Sequence, residues 1–314
     1  MDEIKHIFLI NAHSVKGKRK EWLKKNIISV CEQHAVDYEM YDTNETDDIG
    51  RYAAAEKNQN HQQKILRFYA CGGDGTLHQV ANAVFGDSNV QVATIPLGTG
   101  NDFVKSFTNY EHFMDIGRQI RGKAAQIDVI THGEKIAVNM VNIGFDCMVV
   151  AKTQQTKKWP LIKGPAAYLA AVALVLKEMP LSRQQVFLDG ERVPQETFLL
   201  TAIANGSYCG GGFNAASKAI LNDGYLDVLL VDPINRRKFL SLVGMYKKGT
   251  LLDSERVGEV LRFQRCRKVE IISEEPSLFC SDGEIFSFQK DVFQIAHKAV
   301  SFAVPEGCRF KNQQ

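Results

Sequence analysis

Residues 65–84 read ILRFYACGGDGTLHQVANAV, and this stretch decides the fold of the N-terminal part of the chain. Its first seven residues are mostly apolar and aromatic, which predicts a buried strand over Ile65–Cys71. A glycine-rich segment ends the strand. Helical spacing of apolar residues follows at Leu77, Val80, Ala81 and Val84. Gly86 stands where a helix C-terminal cap is expected. The stretch therefore predicts a strand, a glycine-rich loop and a helix in direct succession.

The glycine loop consists of Gly72, Gly73, Asp74, Gly75 and Thr76 and is suited to hold a phosphate group. Several backbone N–H groups are exposed in such a loop, and the missing Cβ atoms allow a polyphosphate to approach closely. Thr76 could cap the helix or donate to a phosphate oxygen, while Asp74 could bind Mg²⁺ through water or orient a cation that does. The loop lacks both the Walker A pattern and the dinucleotide fingerprint. Alone, it is equally consistent with a plain tight turn.

Strands and helices alternate around this stretch. The predicted strands are Ile7–Ile10, Val36–Tyr41 and Val90–Ile95, and the predicted helices are Glu21–Cys31 and Ile49–Asn60. Because parallel neighbouring strands need crossover helices, the alternation favours a parallel sheet covered on both faces. We therefore predict a Rossmann-like parallel α/β domain over residues 1–127.

The second half of the chain is dominated by short β-rich runs that are separated by turn signals such as Asp189-Gly190 and Asp282-Gly283. These runs are Ile127–Ile130, Ile136–Val141, Val186–Leu188, Phe198–Ala204, Leu226–Val231, Val269–Ile272 and Val292–Ala296. Helical patterns occur only at Gly164–Met179 and Arg236–Leu251. We predict a mostly antiparallel β-sandwich domain over residues 128–296, with a tail at 297–314 that returns to the first domain.

A second polar loop, the Thr99 loop, has the sequence PLGTGND at residues 96–102 and follows the next predicted strand. Both loops then lie at the carboxyl edge of the sheet, where α/β proteins bind ligands. Two loops rich in Gly, Thr and Asp at neighbouring strand ends are better explained by a phosphate site than by two unrelated turns.

Composition excludes several other classes of protein. The formal net charge of +2 provides no concentrated basic face for nucleic acid. The seven cysteines are scattered and include no Cys-x-x-Cys pair, which argues against a disulfide framework and a zinc site. The longest apolar run, Ala166–Leu176, is too short to span a bilayer, and the N-terminus lacks a secretory pattern. We expect a soluble, cytoplasmic protein.

The pairing of the glycine loop with the Thr99 loop resembles the diacylglycerol kinase catalytic family, which includes bacterial soluble lipid kinases. The resemblance extends over nearly the whole chain. It implies ATP as co-substrate, Mg²⁺ as cofactor, an active site in the cleft between the domains, and no bound nucleic acid. It also implies transient association with the inner face of a membrane, and it is compatible with a homodimer.

The resemblance further implies a set of nucleotide contacts. The Asn11 loop, Asn11-Ala12-His13-Ser14-Val15-Lys16, is similar to the family's Asn-Pro-x-Ser/Ala-Gly loop, although Ala12 replaces proline and Val15 replaces glycine. Lys16 could neutralise phosphate charge or belong to a solvated basic loop. The implied nucleotide-binding residues are Asn11, Ser14, Lys16, Thr46, Gly72, Gly73, Asp74, Gly75, Thr76, Thr99, Asn101 and Asp102.

Two segments of the second half match family motifs for the metal and for the base. Asp223 with the main-chain carbonyls of Ile220 and Tyr225 matches a Mg²⁺ site; a β-turn with an aspartate at its tip is the alternative. Asp282-Gly283-Glu284 matches a motif whose acidic side chain takes the proton from the acceptor hydroxyl. We expect Glu284 to be the base and Asp282 to orient it or the metal; without the family, a hairpin turn explains the segment.

The expected reaction is transfer of the ATP γ-phosphate to diacylglycerol, which gives phosphatidic acid. Phosphatidylglycerol, a sphingoid base or another polar lipid are alternative acceptors. Two further alternatives are an NAD kinase, which shares the glycine loop, and a catalytically inactive nucleotide- or lipid-binding regulator, which the altered Asn11 loop suggests. The segment Pro160–Pro180, preceded by Lys157, Lys158 and Trp159, could dock on an anionic membrane or form part of the core.

Overall fold

The computed structural model describes residues 4–43, 48–60, 64–156, 165–255 and 257–313. The chain divides into two compact units. The first unit contains Met1–Val129, Ile220–Asp223 and His297–Gln314, and the second contains Ile130–Ala219 and Gly224–Ala296.

The first unit is built from alternating strands and helices. In chain order these are β1 (Ile4–Ile10), α1 (Gly17–Gln33), β2 (Tyr38–Asp42), α2 (Ile49–Asn58), β3 (Ile65–Gly72), α3 (Asp74–Val84), β4 (Val90–Pro96), α4 (Ile116–Arg121) and β5 (Lys123–His132), whose last three residues belong to the second unit. Strands pair in the order β2-β1-β3-β4, and every one of these pairs is parallel. Both faces of β1 and β3 are largely buried, as expected for strands whose two faces are covered.

An apolar cluster joins this sheet to α1. Leu23, Ile27 and Cys31 recur on one face of the helix and pack with residues of β1, β3 and β4. Val15 of the Asn11 loop is fully buried in the same cluster. The valine that replaces the family's glycine is therefore a core residue, and the left-handed backbone occurs two residues later, at Gly17 with φ of 55°.

The second unit is mostly antiparallel β-structure. Its elements are β6 (Lys135–Ala137), β7 (Met140–Gly144), α5 (Phe145–Thr156), α6 (Pro165–Glu178), β8 (Ser182–Leu188), β9 (Glu191–Arg192), β10 (Thr197–Phe198), β11 (Leu200–Ala204), β12 (Leu226–Val231), α7 (Arg236–Lys248), β13 (Leu261–Cys266), β14 (Lys268–Ser281) and β15 (Glu284–Val304). The pairs β13-β12-β11-β7-β14-β15 are all antiparallel. The predicted fold class, a parallel α/β domain followed by a mostly antiparallel sandwich, is confirmed.

Strand β14 belongs to two strand pairings at its two ends. Residues 269–273 pair with β8, whereas residues 279–281 pair with β7. The register of β14 against β15 shifts between Ile272 and Ser277, so the strand is irregular between these two pairings. An apolar cluster that includes Val186, Val269 and Phe279 forms one part of the core of this unit.

The end of β15 returns to the first unit. Phe302 pairs in parallel with Val92 of β4 and is almost fully buried. Its ring contacts the rings of Phe103, Phe107 and Phe113, with centroid distances of 5.1, 5.7 and 6.2 Å. Aromatic pairs at such distances bury a large apolar area. The tail is thus part of the core of the first unit.

Some elements differ from the expectation. The predicted run Ile136–Val141 is divided into β6 and β7, because the backbone N–H groups of residues 138–140 donate to the side chain of Asp282. Helix α5 and strand β13 were not predicted. In the part of the chain that the structure describes, no helix combines the length and the apolar character needed to cross a bilayer.

Candidate active site

Three loops lie side by side at the carboxyl edge of the parallel sheet. The Asn11 loop follows β1, the glycine loop follows β3, and the Thr99 loop follows β4. Ile10 is paired with Cys71, and Gly72 is paired with Pro96, so the three strands end at the same level. The arrangement gathers polar residues where α/β proteins bind ligands.

The glycine loop and the Thr99 loop touch through their backbones. A Cβ atom added to Gly98 would lie 2.5 Å from the Cα atom of Gly73, a distance that real Cβ atoms essentially never show. The backbone N–H of Leu97 also donates to the carbonyl of Gly72 at 2.6 Å. Only glycine fits at position 98 without a shift of one loop.

The glycine loop and the Asn11 loop are joined by side chains. The Nδ2 atom of Asn11 donates to Oγ1 of Thr76 at 2.9 Å, and the backbone N–H of Asn11 donates to the carbonyl of Cys71. Thr76 is only 3 % exposed. A Cβ atom added to Gly72 would lie 2.2 Å from the hydroxyl oxygen of Thr76. Thr76 therefore connects two loops.

Asp74 and Asn101 hold the Thr99 loop in place. Oδ1 of Asp74 accepts a hydrogen bond from the backbone N–H of Phe103 at 3.2 Å. Asn101 adopts a left-handed backbone with φ of 51°, and its side chain accepts from Gly98 N–H while donating to the carbonyls of Pro96 and Gly98. A short polar side chain tolerates this conformation and closes the turn locally.

Asp102 is nearly buried and forms an ion pair that the sequence analysis missed. The Nζ atom of Lys105 lies 2.7 Å from Oδ1 of Asp102 and also donates to the carbonyl of Gly100 at 2.8 Å. The spacing of three residues between Asp102 and Lys105 on one helical turn was the available signal. The pair fixes the C-terminal end of the Thr99 loop.

The outer surface of the three loops has a composition suited to phosphate. Lys16, Gly75 and Thr99 are exposed, and Ser14 and Asp74 are half-buried. Helix α3 begins at Asp74, within the glycine loop. The start of a helix presents backbone N–H groups and a partial positive charge, which together favour an anion. Thr46 lies outside the described residues.

In the second unit, Asp282 and Glu284 flank the turn between β14 and β15. Both Asp282 and Gly283 have positive φ, 48° and 98°. The carboxylate of Asp282 accepts backbone hydrogen bonds from Val138, Asn139 and Met140 at 2.6, 3.0 and 2.9 Å. To take a proton, Asp282 would have to weaken these charge-assisted bonds. The geometry makes Asp282 an organiser of the turn.

Ser281 and His132 form a buried polar pair next to this turn. Ser281 is fully buried, and its hydroxyl lies 2.9 Å from Nε2 of His132. The rings of Phe279 and Phe286 meet the imidazole edge to face at 5.1 and 5.2 Å. Glu284, which begins β15, is half-buried and is paired with Ser281. His132 was not predicted, because its partner lies 149 residues away in the sequence.

The predicted metal ligands are distributed over the two units. Ile220 and Asp223 belong to the first unit, and Tyr225 belongs to the second, where its ring faces the guanidinium groups of Arg265 and Arg267. Asp223 is half-buried on a turn that ends with Gly224 at φ of 79°. Within the described residues, no group of three or more His, Cys, Asp or Glu side chains could hold a metal. One carboxylate with carbonyl oxygens still fits Mg²⁺, which prefers oxygen ligands and keeps several waters.

A large apolar pocket lies wholly within the second unit. Its volume is about 1040 Å³ including the space open to solvent. Helices α5, α6 and α7 line it with residues such as Phe145, Val149, Val172, Phe239 and Leu242. A pocket with such an apolar lining suits an apolar ligand.

Two family models match the chain. The diacylglycerol kinase catalytic domain matches residues 5–132. The YegS C-terminal NAD kinase beta sandwich-like domain matches residues 139–304. Together the two models cover both halves of the chain.

Curated relatives and a solved structure agree with these matches. The relative from Alcanivorax borkumensis, named "Probable lipid kinase YegS-like", is 30% identical over 244 residues, which cover 76% of this chain and 79% of the relative. One from Stenotrophomonas maltophilia is 28% identical over 284 residues, covering 87% and 88%. A diacylglycerol kinase structure from Bacillus anthracis strain Sterne is 16% identical, with a TM-score of 0.68 and coverage of 96% and 97%, and shows a shared fold.

The contact between Gly73 and Gly98 yields a prediction for nucleotide binding. Gly98→Ala adds a methyl group that forces the two loops apart and misaligns the donors, so affinity for ATP should fall about tenfold or more, the loss of one or two charge-assisted hydrogen bonds. Isothermal titration calorimetry measures this affinity. The control is Gly244→Ala on α7, where a Cβ atom meets no atom within 4 Å. Unchanged ATP affinity in Gly98→Ala would contradict the role of this contact.

Proposed function

The chain belongs to the diacylglycerol kinase catalytic-domain family, and we propose that it transfers the γ-phosphate of ATP to a hydroxyl group of a lipid. The observation that carries this proposal is the set of three hydrogen-bonded loops at the carboxyl edge of one parallel sheet. A phosphate chain needs several N–H donors and a cation held in fixed positions, and these loops are fixed by one another.

The nucleotide-binding residues fall into two groups in this proposal. Lys16, Gly75 and Thr99 are exposed and would contact the phosphates directly, with Ser14, Gly73 and the start of α3. The remaining residues shape the loops around the nucleotide: Asn11, Gly72, Asp74, Thr76, Asn101 and Asp102. The contact of Thr46 with the nucleotide stays a prediction from the family resemblance.

Mg²⁺ would be held by the Asp223 carboxylate and the carbonyl oxygens of Ile220 and Tyr225. When bound, the ion neutralises charge on the phosphate oxygens. A site with a single protein carboxylate suits an ion that shares its coordination with water and with the substrate.

Glu284 would act as the general base. The acceptor hydroxyl oxygen forms a bond to the γ-phosphorus, the bond from that phosphorus to the ADP oxygen breaks, and the hydroxyl proton passes to the Glu284 carboxylate. Three backbone hydrogen bonds hold Asp282 in the adjacent turn, so its task in this proposal is to position Glu284.

The apolar pocket of the second unit supports a lipid as the acceptor. A hydrocarbon chain gains roughly 0.8 kcal/mol for each CH₂ group that it buries, so a pocket lined by apolar side chains favours a lipid over a dinucleotide. Diacylglycerol, which gives phosphatidic acid, is the first candidate acceptor. Phosphatidylglycerol and a sphingoid base are the alternatives, and each carries a hydrogen-bond donor that diacylglycerol lacks.

A phosphotransfer assay tests this proposal. Purified protein with radiolabelled ATP, Mg²⁺ and a panel of lipid hydroxyls should label at least one lipid. Glu284→Gln should lower kcat by about a hundredfold or more, because general base catalysis contributes this much. The control is Glu275→Gln, an exposed residue of β14 that should retain full activity. Absence of transfer to every lipid, or full activity of Glu284→Gln, would contradict the proposal.

We further propose that α7 docks the protein on an anionic membrane surface. Five of its 13 residues are Lys or Arg, and none is acidic. Its inner face lines the apolar pocket through Phe239 and Leu242, while Arg237, Leu240 and Lys248 are exposed. A helix with one apolar face and one basic face suits the interface of a membrane that contains anionic lipid.

Vesicle sedimentation tests the docking surface. Neutralising Arg237, Lys247 and Lys248 to Gln should lower binding to phosphatidylglycerol-containing vesicles at least tenfold, since each cation contributes about 1 kcal/mol there. The matched control neutralises Lys18, Arg19 and Lys25, exposed cations of α1. Equal loss in both variants, or loss only in the α1 variant, would contradict docking through α7.

A further inference from the structure

The apolar pocket of the second unit contains a hydrogen-bonded pair of polar side chains, Asp146 and Tyr246. The Tyr246 hydroxyl donates to Oδ2 of Asp146 at 2.8 Å. Asp146 lies in the first turn of α5, Tyr246 lies near the end of α7, and both side chains line the pocket. The nucleotide and base residues discussed above do not include this pair.

The pair presents hydrogen-bond acceptors to the pocket. An ionised carboxylate only accepts hydrogen bonds, and the single hydroxyl hydrogen of Tyr246 is already directed at Asp146. Asn142 also lines the pocket, and its side-chain oxygen is buried and has no hydrogen-bond partner within the described part of the chain. The Asp146–Tyr246 pair therefore presents oxygen acceptors to the pocket, and its one hydroxyl hydrogen is used within the pair.

The ionisation states fit this assignment. Burial raises the pKa of Asp146 to about 6, and the hydrogen bond from Tyr246 acts in the opposite direction. Asp146 accepts the hydrogen bond of Tyr246 through its carboxylate oxygen Oδ2. Burial raises the pKa of Tyr246 well above its ordinary value, and the neighbouring Asp146 charge raises it further. The hydroxyl therefore keeps its hydrogen.

Acceptors in an apolar pocket are costly unless a donor meets them. Among the described residues, the Tyr246 hydroxyl is the one group that donates a hydrogen bond to the Asp146 side chain. Hydrocarbon chains supply none, and ester groups supply only further acceptors. A ligand that fits both parts of the pocket has an apolar chain and a polar group with an O–H or N–H bond.

We infer that the Asp146–Tyr246 pair determines lipid specificity. It binds a hydroxyl or amine group that the substrate lipid carries in addition to the hydroxyl that is phosphorylated. This inference rests on the proposed function, and it ranks the alternative lipid substrates above diacylglycerol. Diacylglycerol has no second donor, whereas a monoacylglycerol, a phosphatidylglycerol or a long-chain amino alcohol has one. The pair favours this second group of lipids.

Equilibrium binding without ATP tests the inference on the full-length protein. Two matched ligand pairs each differ by one donor: 1-oleoylglycerol against 3-hydroxypropyl oleate for a hydroxyl, and 2-aminooctadecan-1-ol against octadecan-1-ol for an amine. The ligands are delivered from cyclodextrin, and bound lipid is measured by equilibrium dialysis. In at least one pair, the ligand with the additional donor should bind the wild-type protein about tenfold more tightly than its partner ligand. This is the effect expected of one hydrogen bond to a charged group.

Variants of the pair should remove this preference. Asp146→Leu places an apolar group in the pocket, and the affinity ratio should fall to about one, because the charged acceptor is lost. Asp146→Asn keeps the shape of the side chain and serves if the leucine variant folds poorly; its ratio should fall below about threefold, because only a neutral acceptor is left. Asp253→Leu is the control, since this side chain is 64% exposed and pairs with Lys218.

A further variant separates failure of the inference from failure of the pocket assignment. Val172→Trp fills the pocket from α6 and should weaken binding of all four lipids, whereas Ala173→Trp, at an exposed position of the same helix, should not. Unchanged binding in Val172→Trp would place the lipid elsewhere and remove the basis of the proposed acceptor site. Two results would overturn the role of the Asp146–Tyr246 pair while Val172→Trp still loses binding. One is equal affinity of the wild-type protein for both ligands of each pair, and the other is an affinity ratio that persists in Asp146→Leu and Asp146→Asn.

Discussion

The close approach of Gly73 and Gly98 is the constraint on which the first unit depends. Two parallel strands end at the same level, and their following loops meet without side chains between them. Around this contact, Asn11 binds Thr76, Asp74 binds the backbone of Phe103, and Asn101 closes its own turn. The first two bonds hold one loop against the next, and the third fixes the shape of the Thr99 loop. A phosphate site built from rigid backbone donors requires little reorganisation when its ligand arrives, which is the property that phosphoryl transfer uses.

In the second unit, a half-buried carboxylate organises the backbone of a turn. Asp282 collects three backbone N–H groups and thereby interrupts the run that would otherwise join β6 to β7. In the proposed function, these bonds give Asp282 a positioning role and the role of base falls to Glu284. Farther along β7 and α5, Asn142 and Asp146 introduce polar atoms into a pocket whose walls are otherwise mostly apolar. Apolar area provides affinity for a lipid in this account, and a few acceptors select among lipids.

Sequence patterns predicted most of the first unit, since strands such as Ile65–Gly72 are short apolar runs with clear ends and helices such as α1 repeat apolar residues on one face. They failed at α5, where Phe145 and Val149 are helical because they pack against Val172 and Val175 of α6. Local propensity does not contain that information. The glycine and Thr99 loops were recognisable from composition. The bonds of Asp282 to residues 138–140, and of Asp146 to Tyr246, join positions far apart in the chain and required the fold.

A crystal structure of the protein with Mg²⁺ and a non-hydrolysable ATP analogue tests the central claim most directly, because it locates the phosphates. The account predicts that the phosphates lie against the glycine loop and the start of α3, within hydrogen-bonding distance of backbone N–H groups of residues 73–75. It also predicts that Lys16 and Thr99 contact the nucleotide while Gly73 and Gly98 remain in contact. A nucleotide bound away from this edge of the sheet, or loops that separate on binding, would contradict it.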